Sequence, residues 1–87
     1  SLRAEAYYDL GNLFLKAGRR PEAKLYYESA VHEHAPLAAA HNNLGVLLAS
    51  EGDLDGGEHH LRLATEHYPL HFLAHANLGL TQALRGE

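Results

Sequence analysis

Apolar residues along this chain return every three or four positions, the spacing that puts them on one face of a helix. Ala6, Leu10, Leu13 and Phe14 form a first stripe, and Ala23, Tyr26, Tyr27, Ala30 and Val31 a second. Gly18 lies between them, placed to end the first helix, because glycine takes the left-handed C-terminal conformation without a steric cost. Pro21 then suits the opening turn of the next helix, where its missing N–H would have had no partner. Pro36 and Pro69 break the later stripes, and Asp53 is a candidate N-cap. The pattern predicts an all-α chain of five helices, over 4–17, 21–34, 38–51, 55–67 and 72–85.

The helices come in repeats. A shift of 34 residues superimposes Leu10-Gly11 on Leu44-Gly45 and Leu78-Gly79, Gly18 on Gly52 and Gly86, and Ala30 on Ala64. The units are 4–37, 38–71 and a partial third, 72–87, forming a single domain. Gly11, Gly45 and Gly79 fall mid-helix, where glycine costs about 1 kcal/mol relative to alanine. A cost repeated in register points to close helix packing. Gly56 and Gly57, early in the fourth helix, predict a weak, fraying start there.

These residues resemble the tetratricopeptide repeat, a helix–turn–helix unit of the same length. Tyr7, Leu10, Gly11, Phe14, Gly18, Ala23, Tyr27 and Ala30 fit its pattern, as do Leu44, Gly45, Leu48, Leu61, Ala64 and Pro69. His41 stands where a bulky aromatic or apolar residue is usual, Gly57 where alanine is, and Gln82 where a large apolar residue is. The resemblance implies a right-handed α-solenoid whose first helices line a concave groove that holds a peptide or a partner's helix. On this chain the implied groove residues are Tyr8, Asp9, Asn12, Asn42, Asn43, Val46, Leu73, Asn77 and Leu80.

Asn43 and Asn77 each precede a Leu-Gly pair, with Asp9 in the same place in the first unit. An amide offers donor and acceptor together, so it can hold a peptide backbone without reading its side chains. Such an arrangement resembles the asparagine ladder in the repeat domains of protein O-GlcNAc transferases. Asn12 and Asn43 also match the asparagines of the carboxylate clamp that other family members close on chaperone C-termini. Tyr8, Leu73 and Asn77 stand where that clamp has basic groups, so chaperone-tail binding is rejected. Val46, Leu73, Leu80 and Leu15 suggest an apolar floor, although Leu73 and Leu80 would also serve as core.

Composition narrows the field. In 87 residues the formal charge is −4, with no basic stripe to neutralise nucleic-acid phosphates. No apolar run approaches membrane-spanning length. Without cysteine there are no disulfides or thiolate chemistry, and the compartment stays open, with the cytoplasm slightly favoured. Ser1, Ser29 and Ser50 lie in no nucleophile motif, and Glu22, Glu28, Glu33, Asp53, Asp55 and Glu58 read as surface or cap carboxylates. The chain is therefore read as non-enzymatic.

Eight histidines raise the question of metal. His71 and His75 have a ligand-like spacing, but there is no His-Glu-x-x-His pattern, and neither metal nor another cofactor is called for. His41 and His75 are read as packing between helices in the place of Tyr7, which predicts a fold that loosens below about pH 6.5. The principal reading is a protein-interaction module. Two alternatives stand beside it. One is self-association through the last helix, where Leu78, Leu80 and Leu84 cannot all face one neighbour; the other is a substrate-presenting appendage of an enzyme. The third unit stops at its turn, and the chain is read as an excerpt of a longer array.

Overall fold

The computed structural model describes residues 3–87. Five helices follow in order: α1 (Ala4–Lys16), α2 (Arg20–Glu33), α3 (Ala38–Ser50), α4 (Leu54–His67) and α5 (Phe72–Arg85). Every boundary lies within one residue of the position read from the apolar spacing. α1 packs on α2 and α3 on α4, while α2–α3 and α4–α5 contacts join the units. The molecule measures 39 × 26 × 17 Å, and its thin dimension matches two layers of helices packed about 8–10 Å apart.

The turns repeat atom for atom. Gly18, Gly52 and Gly86 have φ values of 77°, 95° and 87°. The N–H of the next residue then reaches back to close the helix: Arg19 to the Phe14 carbonyl at 2.9 Å, Asp53 to Leu48 at 2.9 Å and Glu87 to Gln82 at 3.0 Å.

Gly11 and Gly45 set how closely their helices approach, whereas Gly79, expected to do the same, meets nothing within 4 Å. A β-carbon on Gly11 would lie 2.5 Å from Cε1 of Tyr27, and one on Gly45 would lie 2.8 Å from Cγ of Leu61 and 2.9 Å from the Gly57 carbonyl. Gly57 meets Ala49 and Gly45 equally closely. It is thus a crossing residue, and the expected weak start of the fourth helix is not what the structure shows. α4 is helical from Leu54, and Asp53 Oδ1 accepts the Gly56 N–H at 2.9 Å.

Ala23, Tyr27, Leu44 and Leu47 form the main core, with Tyr8, Phe14, Leu15, Val31 and Leu48 packed around it. Ala38, Ala64 and Ala74 form a second cluster. Leu13, expected on the buried stripe of α1, is 62% exposed. Glu58 departs from its reading as a surface carboxylate. It is buried, with its carboxylate accepting from Arg62 Nε at 3.0 Å and from Arg85. Arg85 holds that carboxyl below the usual carboxylate range, against the opposing effect of burial.

The histidines serve the fold. His41 is buried, and its Nε2–H donates to the Ala35 carbonyl at 2.6 Å. His75 makes the equivalent bond to Pro69 at 2.8 Å, one unit later. His71 lies before α5 as its N-cap, accepting the Ala74 N–H at 3.1 Å, so His71 and His75 do not share a helical face. Because Nε2 of His41 is the donor, its Nδ1 accepts from His60 Nδ1–H at 2.9 Å. The rings of His60 and His67 stack on His41 at 5.2 and 6.2 Å. No group of three or more His, Cys, Asp or Glu side chains converges as a metal site among the described residues.

Burial lowers the pKa of His41 and takes that of His60 to about 4, with the neighbouring imidazoles acting in the same direction. At His60 the unfolded chain therefore takes up a proton below about pH 6.5 that the folded chain refuses until near pH 4, and His41 acts in the same direction. Stability is intact above the unfolded pKa and falls with acid across that window, by about 1.4 kcal/mol per pH unit for each histidine held neutral. A urea-denaturation series should show the midpoint falling between these pH values, with a shallower fall in His60→Phe; a flat profile contradicts the assignment. The glycine crossings make a second, paired prediction. Gly45→Ala should cost about 1–3 kcal/mol through overpacking. Gly79→Ala, with nothing within 4 Å of the new carbon, should gain up to about 1 kcal/mol. Equal effects in urea denaturation would contradict the packing role.

Candidate functional site

The residues expected to line a groove fall on the face built by α1, α3 and α5. Two adjoining hollows run along it and share Val46 and Asn77. One, of about 260 Å³, is lined by Leu15, Arg20, Asn42, Asn43, Val46, Leu47, Leu73 and Asn77. The other, of about 250 Å³, is lined by Val46, Ala49, Ser50, Asn77, Leu80, Thr81 and Leu84. A shallower depression at the α1 end is bordered by Asp9, Asn12, Leu13, Leu15 and Lys16.

Leu73 and Leu80 are 61% and 62% exposed, which rules out the reading of these two as core, and Leu84 is similarly open. Leu78, grouped with Leu80 and Leu84 as a self-association surface, is instead half-buried. Tyr8 is half-buried against the ring of Tyr27, with centroids 6.0 Å apart, so its ring contributes to the core. Arg20 was missed as a lining residue. It opens α2 rather than a groove helix, and only its bond to the Ser50 hydroxyl brings it to this face.

The asparagines do not stand alone. Tyr27 Oη–H donates to Asn12 Oδ1 at 2.5 Å. Asn43 Nδ2 donates to the same oxygen at 3.0 Å and to Tyr27 Oη at 3.3 Å. Asn42 Nδ2 donates to Asn43 Oδ1 at 3.1 Å, and Asn77 Nδ2 to Asn42 Oδ1 at 3.0 Å. A continuous chain of side chains therefore joins α5, α3, α1 and α2. Burial raises the Tyr27 pKa, partly offset by the Asn43 bond, and keeps the hydroxyl a neutral donor. Asn43 directs its amide nitrogen at Asn12 Oδ1 and Tyr27 Oη, which lie 2.5 Å apart and share one of its N–H groups, and Asn42 is buried. Of the expected backbone-gripping groups, Asn77 keeps its carbonyl oxygen and Asn12 its whole NH₂, with no protein partner among the described residues.

This two-layer stack of glycine-crossed helix pairs is the fold the sequence repeats led us to expect, and comparison with known proteins bears it out. Residues 8–64 match the family described as Tetratricopeptide repeat. The chain belongs to that family. The repeat also superimposes with a TM-score of 0.87 on a solved structure described as "Crystal structure of YrrB: a TPR protein with an unusual peptide-binding site", at 29% sequence identity. The match covers 99% of this chain and 44% of that one, so the chain spans less than half the length of that protein. No curated protein sequence matches the chain. Among the described residues no helix is long and apolar enough to cross a membrane.

The network makes a prediction of its own. Tyr27→Phe keeps the ring against Gly11 but leaves Asn12 and Asn43 short of a partner. It should cost about 1–3 kcal/mol of stability and shift the side-chain amide NMR signals of both residues. Unmoved amide signals would contradict the bond.

Proposed function

We propose that this repeat binds an extended peptide segment of a partner protein along the α1–α3–α5 face. The observation that carries the reading is the pair of adjoining hollows, where the apolar side chains of Val46, Leu73, Leu80 and Leu84 lie beside the half-buried amide of Asn77. Apolar hollows admit side chains and a free amide can meet the backbone between them, the division of labour found when extended peptides are recognised. Family membership and the peptide-binding protein it resembles support the same reading. Tetratricopeptide repeats are in general interaction scaffolds, and the chain is read as a scaffold rather than an enzyme.

A peptide selected on the wild-type chain from a random-peptide display library tests this. Val46→Asp and Leu80→Asp, each placing a carboxylate in an apolar contact, should weaken its binding at least about tenfold without loss of helical circular dichroism. Unchanged affinity in both would sink the groove reading. Self-association is the second reading, favoured by the exposure of Leu80 and Leu84 and by the open face at Gly79. Sedimentation over a concentration series separates the two: a dimer abolished by Leu84→Asp moves the weight to self-association, and a monomer throughout removes it.

A further inference from the structure

We infer that Asn42 is a positioning residue for the groove, holding a hydrogen-bond relay of one direction that fixes which ligand group each end of the groove can meet. A ligand carbonyl oxygen is called for at Asn12 and a ligand N–H at Asn77. This rests on the groove reading above.

Asn42 stands where the first unit has Tyr8 and the third has Ala76, so the repeat pattern does not demand an amide there. It is 4% exposed, and a polar group so placed is costly unless it is satisfied. Its Nδ2 donates to Asn43 and its Oδ1 accepts from Asn77. Without it, Asn77 would lose its tie to the rest of the face.

The relay cannot be altered one link at a time. Turning a single amide would set oxygen against oxygen or N–H against N–H, whereas turning all of them together would again be self-consistent. The four asparagines therefore behave as one unit with a direction. In the structure donation runs from Asn77 through Asn42 and Asn43 to Asn12, where Tyr27 converges on the same oxygen. Both lone pairs of Asn12 Oδ1 are occupied, which leaves its NH₂ as the open group at the α1 end. At the α5 end the open group is Asn77 Oδ1. The groove is a donor at one end and an acceptor at the other.

Aspartate substitutions read this direction, because a carboxylate can only accept. Asn12→Asp keeps every bond that Asn12 makes within the fold and removes only its open NH₂. Its stability should match wild type, and it should bind the library-selected peptide about tenfold more weakly. Asn77→Asp sets a carboxylate against Asn42 Oδ1 and should be destabilised. Asn42→Ala should weaken the peptide as much as Asn12→Asp does, with its side-chain amide NMR spectrum showing Asn77 released. The opposite stability order, Asn12→Asp destabilised and Asn77→Asp neutral, would overturn the stated polarity whether or not a peptide is in hand. If binding depends on Val46 and Leu80 but not on Asn12 or Asn42, the relay is overturned and the groove reading stands. If no selected peptide depends on Val46 or Leu80, both are overturned.

Discussion

The closeness of Tyr27 to Gly11 is the contact on which the first unit, and through it the groove, depends. The ring occupies the space a β-carbon would take, 2.5 Å from where that carbon would be. Only a glycine allows a residue of that size to be fully buried between α1 and α3. The same approach carries the phenol oxygen across to Asn12, on the groove side of α1. A packing requirement of the core thereby anchors the polar chain on the α1–α3–α5 face. Hydroxyl and amide satisfy one another, and neither is left buried without a partner.

The second unit solves the same packing problem with different chemistry. Leu61 replaces Tyr27 against Gly45, and with no hydroxyl to satisfy, the position equivalent to Asn12 is Val46. One unit further on it is Leu80. The face therefore passes from polar at α1 to apolar at α5. That gradient distinguishes this array from a uniform ladder of amides: the Asn12 amide lies at one end, and apolar hollows beside Asn77 at the other.

The units are also tied by charge, and the sign alternates. Lys24 on α2 pairs with Glu51 at the end of α3 at 3.2 Å. One repeat later the same two positions are Glu58 and Arg85, paired with polarity reversed. Stacking α2 on α5 would bring Lys24 to Arg85, two cations, so the alternation favours the native order of units over a slipped one. The second pair is the more buried, and Arg62 on the same helix donates to the other carboxylate oxygen of Glu58.

The sequence by itself determined the five helices, their boundaries, the three glycine turns and the repeat. All of these follow from apolar spacing and turn chemistry within a few residues, where the chain's own geometry leaves little choice. It also placed Val46, Leu73, Asn77 and Leu80 on one face, because residues 34 apart recur at the same angle of successive helices. What only the tertiary structure decided is which of those side chains remain free. Asn42 meets Asn77 across 35 residues, His41 meets His60 across 19, and Arg20 reaches Ser50 across 30. No local rule sets such distances. A periodic pattern tells which way a side chain points; whether it then finds water, a core or another amide depends on how closely the next helix can approach, and here glycines at the crossings set that distance.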